Sequence, residues 1–204
     1  MIHFAIVSGS HRPEAESLKV SKFIEAWIRK EKKGARVSLL SLSGNPFPIW
    51  DESGWTDQPP WAAQWKPYSD ALKSADAVII VSPEWAGMAP AGLKNFFLLC
   101  SQQELSHKPG MIVAVSAGTG GAYPIAELRM SSYKNTQFNY IPDHVIIRRV
   151  KEVLNDLEKP ASKDDELTRQ RLAYSINVLE QYGLALRQVR ESGVINLKDF
   201  PNGM

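Results

Sequence analysis

His3-Phe4-Ala5-Ile6-Val7, followed at once by Ser8-Gly9-Ser10-His11-Arg12, is the stretch that decides the fold. The first five residues form a short apolar run, the length of a buried strand. The next five form a small, hydroxyl-rich turn, and a helical pattern begins within a few residues. Val20, Phe23, Ile24, Trp27 and Ile28 recur at i, i+3, i+4, i+7 and i+8, which marks an amphipathic helix that Gly34 stops. A strand that turns directly into a helix points free backbone N–H groups and a positive dipole end at whatever lies beyond the strand. Such a turn is a ready seat for a phosphate or another anion. Ser10 and Ser17 add hydroxyl donors, and Arg12 adds a guanidinium suited to two-point contact with phosphate. An ordinary βα turn needs none of these groups and is the alternative.

The rest of the chain repeats that unit. Val37–Leu42 reads as a second strand, and Tyr68–Ala75 as a short helix. Ala77–Val81 is a continuous apolar strand of the kind covered on both faces. It ends at Ser82-Pro83-Glu84-Trp85-Ala86-Gly87, and Leu93, Phe96, Phe97 and Cys100 then share one helical face. Met111–Val115 is the next strand and ends at Ser116-Ala117-Gly118-Thr119-Gly120-Gly121. A helix over 122–132, a strand over 145–150, a charged connector over 151–163 and a final helix over about 164–189 complete the pattern. The tail, 191–204, carries turn residues and little periodicity, as a loose surface segment would.

Strands and helices alternate without a repeat or a dividing linker, so the expectation is a single domain over 1–204. Parallel strands need crossover helices, and right-handed crossovers build a doubly wound, three-layer α/β sheet. The expected fold is flavodoxin-like, with five parallel strands in the order 2-1-3-4-5. In that order the loops after strands one, three and four converge at the carboxyl edge, where ligands of such sheets bind. These are the three loops rich in glycine or serine.

Composition excludes several classes. The chain has 204 residues, 24 basic and 22 acidic, for a net charge of +2, which gives no reason to expect nucleic acid or an acidic membrane as partner. The one cysteine, Cys100, cannot form an intrachain disulfide and reads as a small core residue in a reducing compartment. No signal-like segment or apolar run of membrane-spanning length is present, so the chain reads as soluble and cytoplasmic. Gly118-Thr119-Gly120-Gly121 would need glycine at Tyr123 to make a dinucleotide fingerprint, and Gly87 and Gly92 lack the lysine and hydroxyl of a P-loop. The four histidines, His3, His11, His107 and His144, show no metal-ligand spacing. Hydrolytic and metal chemistry therefore have no residues to rest on. The segment 44–67 is irregular and holds Trp50, Trp55, Trp61 and Trp65. That much aromatic surface is rarely left in water, so it packs on its own fold or on another subunit, or walls a ligand pocket.

On Gly9-Ser10-His11-Arg12-Pro13-Glu14-Ala15-Glu16-Ser17, on Pro83-Glu84-Trp85-Ala86-Gly87-Met88 with Pro90 and Ala91-Gly92-Leu93-Lys94-Asn95, and on Ser116–Gly121, the chain resembles the NADPH-dependent FMN reductase family of quinone, chromate and azo-dye reductases. The likeness runs from residue 2 to about 150. It implies that Ser10, Arg12 and Ser17 hold the FMN phosphate. Pro83, Glu84, Trp85, Ala86 and Gly87 would line the ribityl chain and one side of the ring. Ser116, Gly118, Thr119, Gly120 and Gly121 would lie at the pyrimidine edge. The implied reaction is reduction of flavin, quinone or a similar flat acceptor by NADPH or NADH through bound FMN. The flavin carries that chemistry, so no catalytic side chain is expected. A homodimer or homotetramer is implied as well, and the apolar run Phe96-Phe97-Leu98-Leu99 points the same way, because one sheet covers only part of a helix. The chain departs from the family's pattern at Ala15, which has no hydroxyl and lies between Glu14 and Glu16. It departs again at Ala86 and Met88, where the family has asparagine and serine, and at Trp85, where it has tyrosine. Two carboxylates beside a phosphate are unfavourable unless they face solvent or pair with Arg12. Two other classes remain open, a flavodoxin-like one-electron carrier, which the +2 charge disfavours, and a flavodoxin-like binding domain without flavin.

Overall fold

The structure, a computed structural model, describes residues 1–203 except Asp57 and Gln102; Asp57 of the 44–67 segment and Met204 of the tail lie outside the described residues. Five parallel strands form one sheet: β1 (His3–Ser8), β2 (Arg36–Ser41), β3 (Ala77–Pro83), β4 (Pro109–Val115) and β5 (Asn139–Ile147). Their order is β2-β1-β3-β4-β5, as expected for the flavodoxin-like class. The pairing sets Val7 opposite Ile80 and Ser8 opposite Val81, and Pro83 opposite Val115. Three strands thus end close together at one edge.

Side chains alternate between two cores, following the period of two along a strand. Phe4, Ile6, Ile79, Val81, Met111 and Val113 face helices α1 (Glu16–Glu31) and α5 (Lys163–Glu191), which contribute Val20, Ile24, Ile28, Leu172, Ile176 and Leu179. Ala5, Val7, Val78, Ile80, Ile112 and Ala114 face α2 (Ala62–Ser74), α3 (Ala91–Leu99) and α4 (Ala122–Ser131), with Leu72, Leu93, Phe96 and Leu128. The central strands β1, β3 and β4 are buried at every residue, which is why they read as unbroken apolar runs.

Three elements differ from the sequence reading. Strand β5 starts at Asn139 and not near 145, although Pro142 lies within it. A proline cannot donate to a ladder, but β5 is an edge strand and its register against β4 shifts between Gly110 and Ile112, which accommodates Pro142 at an irregularity. Helix α2 begins at Ala62 and runs through Pro67, five residues after its start. The lost backbone bond is offset by burial of Trp61 and Trp65, which are 5% and 4% exposed. The connector after β5 is less open than its charge suggests: it holds a 3-10 turn over Val150–Glu152 and buries Val153 and Leu154.

The 44–67 segment acts as a strap across α3. Asn95 of α3 accepts a hydrogen bond from the Trp50 backbone at 2.7 Å and donates to the Pro48 carbonyl at 2.8 Å. Trp65 meets Phe96 edge-on with centroids 5.6 Å apart, and its indole N–H donates to the buried Glu104 carboxylate at 3.0 Å. Phe97 turns the other way, to Phe138. The apolar circumference of α3 is thus covered largely within the chain, and Leu98 alone of its large apolar side chains stands 55% exposed. Trp55, 78% exposed, also stays outside the cover. The tail beyond α5 lies on the surface, with Val194 and Phe200 exposed. Replacing Asn95 by leucine removes both bonds and leaves the Pro48 carbonyl and the Trp50 N–H to find new partners. Asn95→Leu is expected to cost about 2–3 kcal/mol, read as a lower urea midpoint at unchanged slope, and to expose Trp50 to fluorescence quenchers.

Candidate functional site

The site is built where β1 stops. Gly9 N donates to the Val81 carbonyl of β3 at 2.8 Å. A side chain at Gly9 would place its Cβ 2.9 Å from that carbonyl oxygen and 2.9 Å from Leu93 Cδ2. Only glycine allows the first loop to press on β3 this closely. The loop then crosses Ser10–Pro13 and enters α1, whose N-cap is Ala15 in extended conformation. A methyl group cannot accept a hydrogen bond, so the helix has no side-chain cap, and the N–H groups of Glu16 and Ser17 find no acceptor among the described residues. The hydroxyls of Ser8 and Ser17, 0% and 1% exposed, are also without partners. Bare N–H groups at the positive end of a 16-residue helix, with the unpartnered Ser17 hydroxyl in its first turn, make a cradle for an anion.

A cavity of about 150 Å³ opens on this cradle. The first loop lines it with Ser10, Arg12, Ala15, Glu16 and Ser17, and the loop after β3 with Pro83, Glu84 and Trp85. Val115, Ala117 and Val150 close its floor. Arg12 extends to solvent and, among the described residues, forms no ion pair. Glu14 is exposed and lies outside the cavity, whereas Glu16 pairs with Lys19 at 3.0 Å and not with Arg12.

In the loop after β3, Trp85 and Met88 bridge as a tight hairpin, with bonds of 3.1 and 2.9 Å between their backbones. The two residues between them, Ala86 and Gly87, have φ of 48° and 73°. Two successive left-handed residues define a type I′ turn, which favours Asn-Gly and accepts Ala only under strain. The Trp85 ring receives the edge of His11 at 4.8 Å, tying this loop to the first.

The loop after β4 is fixed by Glu84. Its carboxylate accepts from Gly121 N at 2.6 Å, at the N-terminus of α4, where a negative charge is favoured. A Cβ at Gly120 would lie 2.4 Å from the same carboxylate, and one at Gly121, where φ is 105°, would meet Ile146 at 2.3 Å. Glycine at both positions is a requirement of this contact. Arg148 donates to the carbonyls of Thr119 and Gly120 at 2.7 and 3.1 Å, and Ser116 Oγ accepts from Gly118 N at 3.3 Å.

Of the residues singled out from sequence, Ser10, Arg12, Ser17, Pro83, Glu84 and Trp85 share one cavity wall. Ala86 and Gly87 form the turn beside it, and Ser116 and Gly118–Gly121 the neighbouring loop, joined through Glu84. Lys19, Arg148 and Val150 were not legible as part of the site, since their contacts span long sequence separations, 131 residues for Lys19 to Val150. A larger cleft of about 680 Å³ lies elsewhere, between the tryptophan strap and the outer side of α2, and reaches Lys73 and Ser101.

A doubly wound sheet of order 2-1-3-4-5, with an anion cradle after β1 and glycine-bearing loops after β3 and β4, defines a flavodoxin-like α/β domain. The sequence profile of the NADPH-dependent FMN reductase family matches residues 2–152, and the chain belongs to that family. It is 30% identical over 123 residues to a quinone reductase of Pseudomonas putida, covering 58% of this chain and 62% of that one. The chain therefore spans under two thirds of the length of that relative. It is 29% identical over 142 residues to an NADPH azoreductase of a Bacillus species, covering 70% of this chain and 74% of that one. Among solved structures, the flavoenzyme NAD(P)H:(acceptor) oxidoreductase FerB of Paracoccus denitrificans superposes with a TM-score of 0.69 at 17% identity, over 92% of this chain and 98% of that one. That likeness speaks for the fold.

The strained turn carries a prediction. Ala86→Asn relieves the left-handed conformation and should stabilise the protein by about 0.5–1 kcal/mol. Ala86→Val should destabilise it by more than that, and urea denaturation of the two variants reads both signs.

Proposed function

We propose that the chain is an FMN-dependent NAD(P)H oxidoreductase that reduces flavin, quinone or similar flat acceptors. The observation that carries this reading is the uncapped N-terminus of α1, with the buried, unpartnered Ser17 hydroxyl beside it and Arg12 at the rim. Those donors suit a phosphate monoester, and the two glycine-bearing loops meet at the same edge. FMN held there supplies two-electron hydride chemistry between a reduced nicotinamide and an acceptor. The chain's own part is to bind and orient. Ser10, Arg12 and Ser17 hold the phosphate, and the Pro83–Gly87 backbone lines the ribityl chain and one side of the ring. Ser116, Gly118, Thr119, Gly120 and Gly121 lie along the pyrimidine edge, and the open space around Gly118 leaves room for a flat ring. Family membership and the names of the quinone reductase and azoreductase relatives support the acceptor class.

The same reading takes residues 1–204 as one working domain, placed in the cytoplasm and assembled as a homodimer or homotetramer, with no nucleic acid or membrane partner. Among the described residues no helix is long and apolar enough to cross a membrane. The oligomer is supported by large apolar side chains that the fold leaves in solvent on the loop after β3 and on helices α3 and α4. Met88 and Leu98 are each 55% exposed, Tyr123 68% and Met130 78%. Tyr123 belongs to the site's edge, since a Cβ at Gly87 would lie 3.8 Å from its ring. Interfaces favour tyrosine and methionine in this way.

Purified protein with added FMN should show the flavin absorbance band after desalting, and that band should bleach with NADPH and return with a quinone. Arg12→Ala should weaken FMN binding roughly ten- to a hundredfold, the usual worth of a hydrogen bond to a charged group. An unchanged dissociation constant would place the phosphate elsewhere. Bleaching without acceptor turnover would identify a carrier, and no flavin band at all a binding domain. Light scattering at micromolar concentration is expected to give the mass of two or four chains; the mass of one chain would end the oligomer reading.

A further inference from the structure

Glu16 lines the cavity together with Ser10, Arg12 and Ser17, and its side chain is 37% exposed. One of its oxygens, Oε2, has no solvent-exposed surface and no aligned hydrogen bond, although Lys19 Nζ stands 3.0 Å away. The reason lies in where the ammonium's hydrogens go. Lys19 donates to the Val150 carbonyl at 2.5 Å, to the Val153 carbonyl at 3.1 Å and to Asn155 Oδ1 at 2.8 Å. An ammonium has three donors, and all three are engaged by the connector after β5. Lys19 therefore offers Glu16 proximity of charge but no hydrogen, and because the two charges lie 3.0 Å apart the pair keeps a dipole field instead of cancelling outright. Arg12 is unpaired among the described residues, Glu14 faces solvent, and Glu84 is held on Gly121 at the start of α4.

We infer that Glu16 and Lys19 set how strongly this site distinguishes FMN from riboflavin, the same ring and ribityl chain without the phosphate. This rests on the flavin reading above. The cradle attracts a phosphate through the helix end, two hydroxyls and Arg12, while Glu16 repels it and Lys19 limits that repulsion. The phosphate of FMN carries close to two negative charges at neutral pH, as other phosphate monoesters do, so one wall charge acts on it about twice as strongly as on a monoanion. Riboflavin is neutral and is indifferent to the pair. Ala15 deepens the effect, since a serine there would supply a neutral donor and the methyl supplies none. The discrimination between the two flavins is consequently modest in this chain, and it is adjustable at residues outside the ring contacts.

The test titrates FMN and riboflavin separately by flavin fluorescence, against the wild type, Glu16→Gln and Lys19→Met, at low and moderate salt. Glu16→Gln keeps the side chain's shape and removes the charge; it should tighten FMN about tenfold and leave riboflavin unchanged, an effect that shrinks with salt. Lys19→Met also removes the three bonds that hold the connector, so it should weaken FMN by at least a similar factor and riboflavin by less. Glu16→Ala must follow Glu16→Gln in sign, which separates charge from side-chain shape. Circular dichroism melts accompany each titration, so a variant that merely loosens the α1 contact is recognised by its lower midpoint and equal loss of both flavins. Equal changes for the two flavins, or no change for FMN in Glu16→Gln, overturn the inference while leaving the flavin site standing. Failure of the wild type to bind either flavin overturns the site reading itself, and this inference with it.

Discussion

The close approach of the first loop to β3 is the contact on which the site depends. Gly9 N meets the Val81 carbonyl at 2.8 Å, and there is no room at Gly9 for a Cβ against that oxygen or against Leu93. This contact brings the end of β1 next to the end of β3, so Ser10 to Ser17 can share a wall with Pro83 to Trp85. A second contact of the same kind, Glu84 to Gly121 N, joins the next loop. Both are local and short, and both require glycine where backbone or carboxylate comes too near for a side chain. Convergence of three loops is thus enforced by sterics at two points, on a sheet whose register already sets Ser8 beside Val81 and Pro83 beside Val115.

The charges of the site are arranged around what each helix end can hold. The α4 N-terminus is filled from within the protein by the Glu84 carboxylate. The α1 N-terminus has no such side chain, because Ala15 cannot cap it and Ser17 Oγ, though buried, remains unpartnered. Equivalent positive dipole ends are therefore treated differently: one holds a resident carboxylate, and the other is left without a side-chain cap. The difference between a filled and an open helix end lies in one side chain. Lys19 belongs to the same economy of donors, since its three hydrogens anchor the connector after β5 to the first turn of α1 and close the cavity at Val150.

The strap over α3 shows how an aromatic-rich loop can do the work of a partner. Phe96 and Leu99 are fully buried, and the strap's Trp65, Pro48 and Trp50 reach α3 through ring contacts and the Asn95 amide. The apolar run in α3 therefore argues for an assembly only through Leu98. The exposed Met88, Tyr123 and Met130 are a separate matter, arising from side chains that point away from the sheet on α4 and the loop before α3.

The amino-acid sequence by itself determined the class of fold and which loops gather at one edge of the sheet. Apolar runs such as 77–81 and 111–115 need cover on both faces, and helices of period 3.6 between them leave little choice but a doubly wound parallel sheet. The family motifs named six residues that do share one cavity wall. What the sequence misplaced was governed by long-range packing. Pro67 within α2 is tolerated because Trp61 and Trp65 are buried, and Pro142 within β5 because that strand is an edge with a shifted register. Neither fact is encoded within a few residues of the proline. Glu16 pairs with Lys19, an i,i+3 neighbour on α1 that helical spacing allows, where the sequence reading offered Arg12 or solvent; out of reach was that Lys19 is itself held by carbonyls more than a hundred residues away. Local propensity and periodicity decide which elements form, because they act over one or two turns. Which charge faces a cavity, and whether its partner has a hydrogen left to give, is decided only when distant segments meet.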